Sequence, residues 1–261
     1  MKFQQVRGAT SIVTYGGRRF LIDPFFAPKG STPPVPSPHN DFPNPLEELP
    51  MPVEEIVKVD AVIVTHMHHF DHFDEHAAKA LPKTLPIFVQ NESEAVDMRA
   101  LGFETVTALH ESGVAFEGLT LYRTDALHGA GEQAQALYAQ VGLPGEACGV
   151  VFQAEGEPVF YMAGDTVWFE GVEQALDRFQ PAVVALNAAW AQFWDGTPIL
   201  MGPEDIKTTA LYAPEARFIA THMDAVNHAR LDRAALRDFL KDCGLDTRFS
   251  IPEDGETVEM R

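Results

Sequence analysis

Four histidines and one aspartate fall within the seven residues His66-Met67-His68-His69-Phe70-Asp71-His72, directly after the apolar run Ala61-Val62-Ile63-Val64-Thr65. A short continuous apolar run reads as a buried strand, so the chain delivers this polar cluster straight out of a core. Grouped there, imidazoles and carboxylates need a common partner, and they are the ligands that zinc, manganese and iron prefer. Residues that alternate at a strand end project to one side, so His66 and His68 are expected to grip one ion. Asp71 and His72 then lie in the turn into the following helix and reach a second ion. A merely solvated histidine tract belongs at a chain end or in a tag, not at the exit of a buried strand.

Around this cluster strands and helices alternate. Thr10 to Tyr15, the Gly16-Gly17 turn signal and Phe20-Leu21-Ile22 read as an early antiparallel hairpin. From Pro28 to Pro52 proline and small polar residues forbid regular helix or central strand. A structureless stretch of that length ahead of the cluster is expected to act as a lid over the site. Helices are expected over Asp74 to Leu81 and Glu92 to Leu101, and near Val172 to Phe179, Pro203 to Tyr212 and Asp232 to Cys243. Strands are expected at Ile87 to Val89, Leu119 to Tyr122, Val150 to Gln153, Val159 to Met162, Val183 to Leu186 and Phe218 to Ala220. No internal repeat is visible. Strand-rich halves with interspersed helices fit an α/β fold of two sheets between two helical layers, and 261 residues suit one domain spanning 1–261, with 28–52 as its lid loop.

The net charge of -19 repels polyphosphate backbones and anionic lipid, so nucleic acid and membrane are not expected as partners; a small molecule is. No window of eighteen residues is uninterruptedly apolar, and the opening Met1-Lys2-Phe3-Gln4-Gln5-Val6-Arg7 lacks a signal-peptide core, which implies a cytoplasmic protein. Cys148 and Cys243 are too few for a disulfide framework and are not in C-x-x-C spacing. Any metal is therefore held by histidine and carboxylate.

The cluster resembles the metallo-β-lactamase superfamily, whose hallmark is His-x-His-x-Asp-His after a strand. Here one extra residue separates His66-Met67-His68 from Asp71-His72. The register with Thr65 favours His66 and His68, with His69 inserted beside them; a distorted turn that uses His69 instead is the alternative. The resemblance implies the four-layer αββα sandwich of that superfamily and three further ligands, in the required order. His128 in Thr124-Asp125-Ala126-Leu127-His128 resembles the third histidine of the first metal. Asp165 in Ala163-Gly164-Asp165-Thr166 resembles the bridging aspartate, and His222 in Ala220-Thr221-His222 the last histidine, on the second metal. The likeness looks nearest to the branch of ascorbate-6-phosphate lactonases and phospholipase-D-like hydrolases, whose opening reads like Leu21-Ile22-Asp23-Pro24. Asp23 is then expected to orient a ligand histidine, and His228 to face the substrate cleft.

These resemblances imply a binuclear hydrolase with two divalent ions, zinc first and manganese as the alternative, acting on a small ester, lactone or phosphodiester. A water shared between two dications has its pKa lowered from about 15.7 towards neutrality. Asp71 is the expected catalytic group, orienting that water. Neither a G-x-S-x-G elbow nor a phosphate-binding glycine loop competes with this reading. The rival readings are a di-iron redox protein and a catalytically idle metal binder.

Overall fold

In the computed structural model, which describes residues 1–260, the strands assemble into two seven-stranded sheets. The first runs in chain order through β1 (Lys2–Arg7), β2 (Thr10–Tyr15), β3 (Arg18–Ile22), β4 (Ala61–Val64), β5 (Ile87–Val89) and β6 (Val106–Ala108). The second runs through β7 (Val114–Phe116), β8 (Leu119–Leu127), β9 (Glu146–Ala154), β10 (Phe160–Met162), β11 (Val183–Asn187), β12 (Arg217–Thr221) and β13 (Phe249–Ser250). The last strand, β14 (Thr257–Glu259), returns to the first sheet and pairs with β1. Each sheet opens antiparallel and turns parallel, the first from β3 to β6 and the second from β10 to β13. The halves thus share a topology without sharing a sequence repeat.

Parallel strands need crossovers, and helices supply them. The short α1 (Val53–Ile56), α2 (Glu75–Ala80) and α3 (Glu92–Ala100) cover the outer face of the first sheet. On the second, α5 (Glu170–Phe179), α6 (Pro203–Tyr212) and α7 (Arg233–Asp242) bury Val172, Leu176, Ile206, Leu236 and Leu240 against Tyr161, Val184 and Phe218. Side-chain oxygens of Asp74, Asn91 and Asp232 accept backbone N–H groups of α2, α3 and α7, satisfying donors that a helix start leaves free. Between the sheets lies a third cluster, with Phe20, Ile22 and Phe88 facing Phe152, Phe160 and Met162. The order helix, sheet, sheet, helix is the αββα sandwich expected. Strands such as β4 and β11 are buried at every residue because both faces are covered.

Three features depart from the sequence-based expectation. Residues 2–7 form an unexpected strand, and β8 and β9 extend well beyond their predicted cores. The Gly129–Gly145 segment contains α4 (Gly131–Val141), which packs Ala134, Leu137 and Tyr138 on Phe193 and Ile199 rather than on either sheet. Between β3 and α1 the chain has neither helix nor strand, apart from a bridge between Thr32 and Asn44. Among the described residues no helix is long and apolar enough to cross a membrane.

Candidate metal centre

The carboxyl ends of β3, β4, β8, β10 and β12 converge on one side of the sandwich, the place where open α/β sheets hold ligands. Asp23 follows β3 with φ 45°, and His222 follows β12 with φ 63°, a left-handed conformation that side chains other than glycine adopt at a cost. Gly164 (φ 69°) lets the chain pass so close to the Cys148 carbonyl that a Cβ there would collide with it, and this turn presents Asp165. Asp165 caps no helix; its Oδ1 accepts a hydrogen bond from the Asn187 side-chain amide.

Asp23 ties two segments together. Its carboxylate accepts the Thr65 N–H (2.7 Å) and hydroxyl (2.9 Å), and lies 2.9 Å from His72 Nδ1. His72 Nε2 is thereby turned inward, 3.1 Å from Asp165 Oδ2 and 3.2 Å from His222 Nε2. A backbone carbonyl only accepts, so the Ile199 oxygen 2.9 Å from His128 Nδ1 accepts a hydrogen bond from its N–H, leaving Nε2 free to face inward. In the same way His69 Nε2 donates to the Pro144 carbonyl at 3.0 Å, and its Nδ1 lies 3.3 Å from His128 Nε2. Three groups of donor atoms result, each within 4.8 Å: His66, His69 and His128; His66, His72 and Asp165; Asp71, His72 and His222.

His68 stands apart. Its side chain is 40% exposed, with Nε2 3.8 Å from Asp97 Oδ2. The expectation that His66 and His68 share a face needed the strand to continue past Thr65, but β4 ends at Val64 and the chain turns, with the N–H groups of His72 and Phe73 donating to the His69 carbonyl. The turn carries His69 inward instead. His228 is buried beside the centre, its Nδ1 unpartnered.

These residues fit a divalent cation. Ligand imidazoles must be neutral and ligand carboxylates ionised. Burial holds His66 well below its ordinary value, helped by His72 and His69, and pushes His69 down to about 3. Burial also lowers His128, whereas at His72 and His222 it is outweighed by Asp165, with Asp23 and Asp71 adding, which raises both, so a cation bound there displaces protons. For Asp165 burial works the other way, but His72, His222 and His128 outweigh it and hold the carboxylate well below its usual range; His222 and His72 do the same for Asp71. Buried His66 Nε2 has no hydrogen-bond partner at all, the mark of an atom waiting for something other than protein.

Two residues that sequence reading missed belong here. Asn187 fixes Asp165, and Tyr138 of α4 places its ring 5.3 Å from that of His128 and 5.7 Å from that of His69. A tyrosine on the apolar face of a helix looks like core, so no sequence signal marks it.

Residues 18–223 match the Beta-lactamase superfamily domain model. The chain is 42% identical over 259 residues to the UPF0173 protein YddR of Bacillus subtilis, covering 98% of this chain and 99% of that one. Among solved structures, it resembles an isothiocyanate hydrolase from Delia radicum gut bacteria (41% identity, TM-score 0.93, 100% and 99% covered). It also resembles a possible metal-dependent hydrolase from Veillonella parvula (39% identity, TM-score 0.94, 100% and 99% covered). The chain therefore belongs to the beta-lactamase superfamily and, within it, to the UPF0173 family.

Proposed function

We propose that this protein is a metal-dependent hydrolase with two divalent ions, zinc or manganese, whose substrate is a small uncharged electrophile with an apolar tail. The ligands assigned are His66, His69 and His128 for one ion and Asp71, His72 and His222 for the other, with Asp165 between them. The observation that carries the substrate class is a cavity of about 410 Å³ that opens on His69, Asp71 and His228. Its walls include Val35, Val141, Leu143, Phe193 and Trp194, and no lysine or arginine is among the residues lining it. A phosphodiester or phosphorylated lactone would find no protein cation there, whereas an apolar tail gains about 25 cal/mol for each Å² it buries. An isothiocyanate, the substrate class in the name of the 41% identical relative, has this chemistry.

When bound, the two ions lower the pKa of water and polarise the electrophile. The protein groups do the rest. Asp23 keeps His72 Nε2 inward, Asn187 keeps Asp165 in place, and Asp71 orients the attacking water and takes its proton. Water oxygen bonds to the central carbon of R–N=C=S, the C=N π pair moves to nitrogen, and nitrogen takes the proton from Asp71. The remaining O–H proton then passes to nitrogen as the C–N bond breaks, so that one water and one isothiocyanate leave as an amine and carbonyl sulfide. The Pro-rich segment 28–52 serves as part of the substrate wall.

The test is metal analysis of tag-free protein purified without added metal, followed by incubation with benzyl isothiocyanate. About two equivalents of zinc or manganese per chain, with benzylamine and carbonyl sulfide released, is the expected result. Two equivalents of iron would move the protein to redox chemistry, and a metal-free, inert protein would sink the hydrolase reading.

A further inference from the structure

Tyr138 carries an unusual hydroxyl. The residue is 3% exposed, and its Oη is buried without any hydrogen-bond partner. A buried hydroxyl left unpaired carries its full desolvation penalty, and an ordinary core position would be filled more cheaply by phenylalanine. The ring nevertheless stands at the centre, beside His69 and His128 and braced edge-on by Phe193 at 4.8 Å, and it lines the same cavity as Asp71 and His228. A phenol loses its proton only near about pH 10 in water, so the hydroxyl is a donor at neutral pH.

We propose that the Tyr138 hydroxyl donates a hydrogen bond to the substrate atom that takes up negative charge as water adds, a catalytic role that rests on the hydrolase reading above. In an isothiocyanate that atom is the nitrogen receiving the C=N electron pair, or the sulfur sharing it. A donor aimed at charge that develops only during reaction stabilises the transition state more than bound substrate. It therefore acts on kcat.

Tyr138→Phe removes the hydroxyl and leaves the ring packing intact. In the metal-loaded enzyme with benzyl isothiocyanate, kcat should fall about 100-fold, with KM changed less than about threefold. Metal content should be unchanged and the melting temperature equal or higher, because the hydroxyl removed was unpaired. A second arm uses inorganic thiocyanate, which carries negative charge on the same atoms and needs no turnover. Calorimetry should show it binding at least about fivefold more weakly to the variant, a loss on the scale of one hydrogen bond. Equal thiocyanate affinity, unchanged kcat, or a fall in melting temperature with loss of metal would each overturn the proposal. A wild type that binds thiocyanate in the expected way but spares the isothiocyanate would instead overturn the substrate assignment alone.

Discussion

His68 and His69 are neighbours with opposite surroundings, one beside Asp97 at the surface and one against His128 and the Pro144 carbonyl. Replacing each by alanine separates the two registers: His69→Ala should lower metal content towards one equivalent by plasma emission, while His68→Ala leaves it unchanged. Asp23 is outside the donor groups but holds His72 through Nδ1. Outer partners of this kind are worth about 10–100-fold in metal affinity, so Asp23→Asn should weaken binding by that factor in a chelator competition. The composition of the centre was legible in the sequence because histidine and aspartate rarely gather at a strand exit. The register was not, since it depends on where the backbone leaves the strand. Tyr138 was invisible because its role comes from facing a space that residues distant in sequence build.

The Pro-rich segment was legible as an element without regular structure, and its fastening was not. Asn227, wholly buried, makes six hydrogen bonds to it: its side-chain amide bonds Val35 N and O, Asn40 O and the Asn44 side chain, and its backbone bonds the Asn40 and Asn44 amides. Pro34, Val35 and Pro36 are thereby pinned against the segment that carries His222 and His228. Asn227→Ala should raise amide exchange across 33–44, read by mass spectrometry, and leave metal content intact; unchanged exchange would show that other contacts hold the segment. Helices with a clear apolar face and a capping side chain, such as α7, were readable within a residue or two. Strands of two or three residues, such as β13 and β14, have no periodicity of their own and exist because a neighbour lends its ladder.

Across the whole molecule, the centre depends on two sheets meeting. Asp23 and His66 come from the first, His128, Asp165 and His222 from the second, and the packed layer between them sets their spacing. Phe152, fully buried, touches Tyr15 and Phe20 across that layer and Phe160 beside it in its own sheet. Phe152→Ala should cost about 3–5 kcal/mol of stability in denaturant unfolding. The alternation of strands and helices made the layers legible, but not which strand lies beside which, because pairing is decided by contacts far apart along the chain.

One of those pairings is β14 on β1, with Lys2 opposite Glu259 and the Met1 amine on the Met260 carbonyl. On a ribosome adding about 5–20 residues per second, the opening hairpin waits tens of seconds for the strand that finishes its sheet. Through that interval its outer edge is an open template for any passing strand. The partner that finally arrives is only three residues long, and its exposed threonine and glutamate offer a poor surface for a further chain. Newly made protein is thus most exposed to misassembly until β14 emerges, and the short closing strand ends that exposure.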